Sequence, residues 1–148
     1  MSEIYETQRL ENQLCFPLYA CSREVVKKYR PYLDELNLTY TQYIVMMVMW
    51  EKKTINVKEL GAKLYLDSGT LTPVLKSLES KGYVYRHRSL MDERVLLVDV
   101  TEEGKKLREK AVKVPEKVSK FLGLTSDESV TLYRLLYKLL ASDDVPAE

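Results

Sequence analysis

Apolar positions along this chain fall into stripes of helical spacing, interrupted once by two short runs of strand composition. Leu10, Leu14, Leu18, Cys21 and Val25 recur at intervals of four, four, three and four, which predicts one apolar face of a long first helix over about residues 10–31. Pro17 sits inside that segment, so the helix either kinks or restarts beside Cys15. Lys27, Lys28, Arg30 and Pro31 are expected to close it. Thr39-x-x-Gln42 then caps a second helix, whose residues 44–50 are apolar all round, as a central core element should be. Residues 54–57 can add a short strand. Asn56-Val57-Lys58-Glu59 opens a short helix with Leu60 and Leu64 on one face. The chain turns through residues 65–70, with Asp67 or Ser68 as the next cap, and Leu71, Val74, Leu75 and Leu78 form a buried stripe that Gly82 ends. Residues 83–88 and 95–100 read as strands joined by residues 89–94.

The order helix, turn, helix, β-hairpin is that of a winged helix-turn-helix, a shape that reads DNA. The fold class is therefore mainly α with a small β-hairpin wing, spanning one domain over residues 1–148 with its DNA-binding part at about 54–101. Ser68, Thr70, Thr72, Lys76 and Ser77 make a polar face of hydroxyls and one cation on the second helix of the motif. A merely solvated helix face has the same pattern, and the wing shifts the balance towards DNA. Thr101 caps a long charged helix bent at Pro115, in which Leu107, Ala111, Val114, Val118 and Phe121 form a seam that wants a partner helix. Thr125-x-x-Glu128 opens a last helix, and residues 142–148 are expected to fray. Terminal helices at about 10–31 and 102–141 carry more apolar surface than a lone winged helix covers, which predicts a homodimer. Its two-fold axis would set two reading helices about 34 Å apart on a pseudo-palindromic operator.

Composition changes this picture in two places. With 23 Lys and Arg against 22 Asp and Glu, the net charge is +1, so the basic balance usual in a DNA binder is absent and the cations must be segregated by face. The longest apolar run, residues 43–50, is far shorter than the roughly 20 residues a membrane helix needs, and the acidic start has no signal-peptide core, so a soluble cytoplasmic protein without membrane contact is expected. Two cysteines without Cys-x-x-Cys spacing argue against a disulfide scaffold or zinc ribbon, and the single histidine, His87, reads as a solvated strand residue. No cofactor or metal is implied.

Leu66-Asp67-Ser68-Gly69-Thr70-Leu71-Thr72-Pro73, Lys81-Gly82, Asp92-Glu93-Arg94 and Thr101-Glu102-Glu103-Gly104 together resemble the winged-helix repressors of the MarR family. Leu14-Cys15-Phe16 with Tyr29 and Tyr40 narrows the resemblance, over residues 10–115, to the organic-hydroperoxide-sensing OhrR branch. Pro17 departs from that branch's pattern. The resemblance implies that Arg94 enters the minor groove and Asp92 holds it. It also implies that the Cys15 thiolate is oxidised by organic hydroperoxides to a sulfenic acid, and that Tyr29 and Tyr40 reach it from the other subunit and stabilise it by hydrogen bonding. Tyr19, one turn from Cys15, is a further neighbour. Against this stand the plain alternatives of an inert buried cysteine and of tyrosines that only pack.

Cys21 lies six residues from Cys15, about 9 Å and roughly 240° along a helix, beyond disulfide reach, and falls on the stripe read as core. Two-cysteine members of the branch it resembles carry a resolving cysteine near the C-terminal end, where this sequence shows none, so the resemblance implies a one-cysteine sensor completed by a low-molecular-weight thiol or by overoxidation. Two other functions fit parts of the pattern. One is a MarR-type regulator answering a small phenolic or drug-like ligand; the other is a thiol peroxidase using Cys15, which the missing resolving cysteine disfavours.

Overall fold

The computed structural model describes residues 2–142; the expected fraying at 143–148 lies outside them. The chain forms two compact units, Met1–Pro115 and Glu116–Glu148. In the first, α1 (Ser2–Tyr5) and two 3₁₀ turns lead into α2 (Cys15–Asp34), followed by α3 (Tyr40–Lys52), β1 (Thr54–Asn56), α4 (Val57–Leu64), α5 (Ser68–Ser80), β2 (Val84–Arg88), β3 (Leu96–Val100) and α6 (Glu102–Ala111). The next helix, α7 (Val114–Leu122), crosses the boundary, and α8 (Ser126–Leu140) lies in the second unit. The expected winged helix is present, with the extra strand: the antiparallel sheet runs β1-β3-β2, pairing Ile55 with Val98 and Val84 with Val100.

Helix α3 is the centre of the first unit because its sequence leaves no polar face. Val45, Met46, Val48 and Met49 are buried, and the helix packs against α2, α4, α5, α6, β1 and β3. Its start carries the full capping box: Gln42 N–H donates to Thr39 Oγ1 at 3.2 Å, and Thr39 N–H to Gln42 Oε1 at 3.1 Å. The stripe of α5 is buried at Leu71, Leu75 and Leu78. That helix ends in a Schellman motif, in which Tyr83 N–H bonds the Leu78 carbonyl, Gly82 N–H bonds the Glu79 carbonyl, and Gly82 takes φ 82°. Gly104 explains the glycine in Thr101-Glu102-Glu103-Gly104: a Cβ there would run into the Tyr83 carbonyl and come within 2.8 Å of Val100 Cγ2. Its own carbonyl accepts from Trp50 Nε1 at 2.8 Å, which ties α6 to α3.

Three sequence expectations are corrected. The first long helix begins at Cys15, not Leu10, and runs past Pro31 to Asp34. Starting there puts Pro17 in the first turn, where the backbone N–H it lacks would have had no intrahelical partner, so the helix restarts rather than kinks. The bent C-terminal helix is two helices, α6 and α7, parted at residues 112–113, with Pro115 in the first turn of α7, where the N–H it lacks would have had no intrahelical partner. Within the described chain, the stripe Leu10, Leu14, Leu18 and Cys21 is exposed, Leu14 by 78%. Of the second seam, Leu107, Ala111, Val114 and Val118 are buried and Phe121 is not. In the second unit α8 has no buried residue at all, leaving Val130, Tyr133, Leu135, Leu139 and Leu140 open. Apolar surface on this scale marks an association face. No described helix is long and apolar enough to cross a membrane.

Candidate functional site

The reading helix is set by short local contacts. Asn56 Oδ1 accepts the Lys58 N–H at 2.7 Å and starts α4; the full box with Glu59 is not formed. The α4–α5 turn closes through Leu66 N–H to the Gly61 carbonyl at 2.9 Å, with Tyr65 left-handed at φ 56°. Gly61 is required by approach, since a Cβ would lie 2.8 Å from the Leu66 carbonyl oxygen. Asp67 caps α5 by accepting the Thr70 N–H at 2.7 Å, and that bond holds its carboxyl below the usual carboxylate range.

The five α5 residues picked from the sequence do not share one environment. Ser68, Thr70 and Lys76 are exposed. Thr72 is half-buried, and its hydroxyl donates back to the Ser68 carbonyl at 2.7 Å. Ser77 turns inward, because residues 74, 77, 78 and 81 share the side of α5 that meets the core: its Oγ accepts from Gln42 Nε2 at 2.9 Å. At the wing, Arg94 makes a fork to Asp92, Nε to Oδ1 at 3.1 Å and Nη2 to Oδ2 at 3.2 Å, with the Arg94 N–H on Oδ1 at 3.0 Å. These bonds hold the Asp92 carboxyl low, the guanidinium contributing most, while the arginine side chain stays 90% exposed. Between α4, the turn, the start of α5 and the wing lies a cleft of about 410 Å³ lined by Lys58, Leu66, Ser68, Leu71, Arg94 and Leu96. Lys58, in the first turn of α4, lines this cleft and was not among the candidate residues read from the sequence. The wing is fixed to α5 by Glu79, which accepts the Arg86 N–H at 2.9 Å and its Nη2 at 3.0 Å and is held low by both.

The thiol site is built differently. Cys15 is exposed and is the first residue of α2, where first-turn N–H groups have no intrahelical partner and no side chain caps the helix. Tyr19, one turn on, is exposed and takes a bond from Arg23 Nη1 at 3.4 Å, with the guanidinium carbon 5.6 Å from its ring centre. Arg23 is thus a cation two turns from the thiol. Tyr29 and Tyr40 do come together, their ring centres 4.9 Å apart, and Tyr43 joins them at 5.8 and 6.4 Å. Burial raises all three hydroxyls, most of all Tyr43, pushed up to about 12 by burial and then by its two tyrosine neighbours. Tyr29 is fourteen residues beyond Cys15 on one helix, about 21 Å along its axis, so the pair does not reach the thiol of its own chain.

Two single residues depart from expectation. Cys21 is exposed rather than core. His87 is half-buried, paired through Nε2 with Asp99 Oδ2 at 2.8 Å and stacked on Tyr85 at 5.4 Å. No cluster of three metal-ligating side chains occurs among the described residues.

Residues 27–111 match the family of SarA/Rot transcriptional regulators. Over 143 residues, 95% of either chain, the sequence is 49% identical to the organic hydroperoxide resistance transcriptional regulator of Bacillus subtilis (strain 168). It is 46% identical over 127 residues, 86% of this chain and 87% of the other, to the HTH-type transcriptional regulator SarZ of Staphylococcus saprophyticus. Among solved structures, reduced AbfR bound to DNA superposes with a TM-score of 0.75 at 36% identity, covering 95% of this chain and 97% of that one. Together with the winged helix, these place the chain in the SarA/Rot and MarR-type family of winged-helix transcriptional regulators, in the branch of the organic hydroperoxide resistance regulators.

Proposed function

We propose that this protein is a homodimeric repressor that binds a pseudo-palindromic operator when reduced and releases it when organic hydroperoxide oxidises Cys15. Ser68, Thr70 and Lys76 of α5 face the major groove, with Thr72 beside them, and Ser77 positions the helix from within. Arg94, oriented by the Asp92 fork, enters the flanking minor groove, whose narrow negative walls favour a guanidinium. Residues 10–31 and 102–141 supply the dimer face, and residues 54–101 the DNA-reading part.

The chemistry at Cys15 is a two-electron oxidation. The thiolate attacks the terminal peroxide oxygen, the O–O bond breaks, and the alkoxide leaves with a proton as alcohol, giving the sulfenic acid. A small thiol then attacks that sulfur and water leaves, forming a mixed disulfide; a second hydroperoxide in its place gives sulfinic acid. The oxidation is stoichiometric, a signal rather than turnover, carried out in the cytoplasm where the DNA lies.

The observation that carries this reading is the separation of Cys15 from the Tyr29–Tyr40 pair along α2, with the apolar stripe around the thiol uncovered. Pairing with a second copy brings tyrosine hydroxyls to the thiol and covers the stripe in one step. Cys15→Ser is expected to fold, dimerise and bind the DNA upstream of the protein's own gene, and to hold it through a cumene hydroperoxide titration that strips the wild type. If Cys15→Ser lets go at the wild-type dose, Cys15 is not the sensor.

A further inference from the structure

Among the described residues, Gln42 is the one polar side chain buried in the core, 6% exposed, and neither DNA contact nor the thiol site uses it directly. It touches the elements of both. Gln42 is the third residue of α3, two after Tyr40 and one before Tyr43. Its Oε1 accepts from the Thr39 N–H and, at 2.9 Å, from the Lys81 ammonium; its Nε2 donates to Ser77 Oγ. Lys81 Nζ also donates to the carbonyl of Asn37, in the turn between α2 and α3. One amide therefore joins the turn of α3 that carries two of the three clustered tyrosines to the second half of the reading helix. The Glu79–Arg86 pair extends the same connection into the wing.

The geometry leaves little slack. A donor and acceptor drawn much beyond 3.5 Å no longer bond, and a buried polar group left unpaired keeps its desolvation cost with nothing to offset it. The start of α3 and the end of α5 thus shift together or lose paired buried groups. Leu78, the buried neighbour of Ser77 on α5, offers no directional contact that could replace this one.

We propose that Gln42 is a positioning residue that couples the tyrosine cluster to DNA reading: when oxidation of a second copy's Cys15 displaces Tyr40, the first turn of α3 shifts, and Gln42 passes that shift to α5 through Ser77 and Lys81. The inference rests on Cys15 being the sensor. It concerns the coupling between sites, measured as the ratio of operator dissociation constants in the oxidised and reduced states, rather than either affinity alone.

The test measures that ratio by fluorescence anisotropy for the full-length dimer on a duplex from upstream of its own gene, before and after cumene hydroperoxide. Mass spectrometry reports Cys15 oxidation in each sample. Gln42→Leu is expected to be oxidised like the wild type while the ratio falls about tenfold. Gln42→Glu keeps an acceptor for Thr39, Lys81 and the Ser77 hydroxyl, and is expected to restore the ratio to within about twofold of wild type. A merely structural role would lower thermal stability and weaken both states alike, leaving the ratio unmoved. Ser77→Ala, at a half-buried position, cuts one arm of the connection and decides the matter if Gln42→Leu does not fold; its ratio is expected to fall about threefold. A wild-type ratio in Gln42→Leu, or in Ser77→Ala where that variant must stand in, overturns the proposal while the sensor reading stands. A wild type that keeps its DNA with Cys15 demonstrably oxidised overturns the sensor reading and this inference with it.

Discussion

Arg94→Ala separates a DNA contact from a fold contact more cleanly than any other change to the reading face. In the free chain the guanidinium is 90% exposed, and its described hydrogen bonds run to Asp92. An ion pair that open to water contributes little to stability, so the variant should lose no more than roughly 2–4 °C in Tm for a chain of this size. Inserted in a minor groove, the same side chain is worth about 1–3 kcal/mol per wing, or about 5- to 150-fold in affinity, and a dimer brings two wings. A guanidinium in the groove also neutralises backbone charge, and counted as one phosphate per wing, at about 0.9 each in the slope of log affinity against log salt, its loss should flatten the dimer's slope by nearly two. Anisotropy titrations on one operator duplex at four salt concentrations, beside thermal melts, measure both quantities. Unchanged affinity and slope with the reduced protein would reduce the wing tip to a turn. A fall in Tm large enough to account for the binding loss would mean that Arg94 holds the fold instead. Asp92→Ala provides the intermediate case, keeping the cation and losing the fork that aims it, and should weaken binding with the slope retained.

Two further predictions concern the scaffold. Gly104→Ala forces a methyl against the Tyr83 carbonyl and Val100, backbone and packed side chain that cannot swing aside, and should destabilise by about 1–3 kcal/mol in thermal melts; a wild-type Tm would show that α6 docks loosely. The tyrosine cluster makes the fold sensitive to alkali. The buried Tyr43 hydroxyl loses its proton only near 12 when folded, against 10 when unfolded, so the stability it contributes is complete below pH 10 and lost as pH climbs from 10 towards 12. Tyr43→Phe should flatten that window in a pH series of melts, and an identical alkaline limb in the variant would refute the assignment.

The reading motif was legible because its determinants are local. Asp67 as cap, the Leu71–Leu75–Leu78 stripe, Gly82 at a left-handed position and the strand at residues 54–56 all depend on neighbours a few residues away or on backbone geometry that side chains advertise. Ser77 was misread for the opposite reason. A serine beside Lys76 looks like more of the same polar face, and its inward turn depends on Gln42, thirty-five residues earlier. His87 and Asp99 likewise meet only because β2 and β3 pair in a particular register, which composition does not state. Tyr43, one residue past the recognised Gln42 cap and three past Tyr40, had a visible spacing, but in the sequence it stood out only as the first residue of the apolar run 43–50.

The two cysteines show what periodicity leaves undecided. A helix presents the same stripe whether its own chain or a second copy covers it, and the Leu10–Val25 stripe read as core is largely open here. For redox chemistry the difference is consequential. A thiol sealed in its own core is closed to a hydroperoxide, whereas a thiol at the edge of an association face is open, and hydrogen-bond donors from the second copy can reach it. Cys15 and Cys21 are both exposed in the single chain, so exposure does not choose between them; position on the helix does. Cys15 is at the first turn of α2, whereas Cys21 is a turn and two-thirds further in and roughly 240° round, facing another way and beyond disulfide reach of Cys15. Cys21→Ser should therefore keep the dose of cumene hydroperoxide that releases operator, and at most loosen the dimer by placing a hydroxyl on an apolar face. Sedimentation at falling concentration measures the second effect and a gel shift the first. A Cys21→Ser protein that stays on DNA at doses releasing the wild type, with Cys15 fully oxidised, would mean that both thiols take part in release and that a one-cysteine mechanism is wrong.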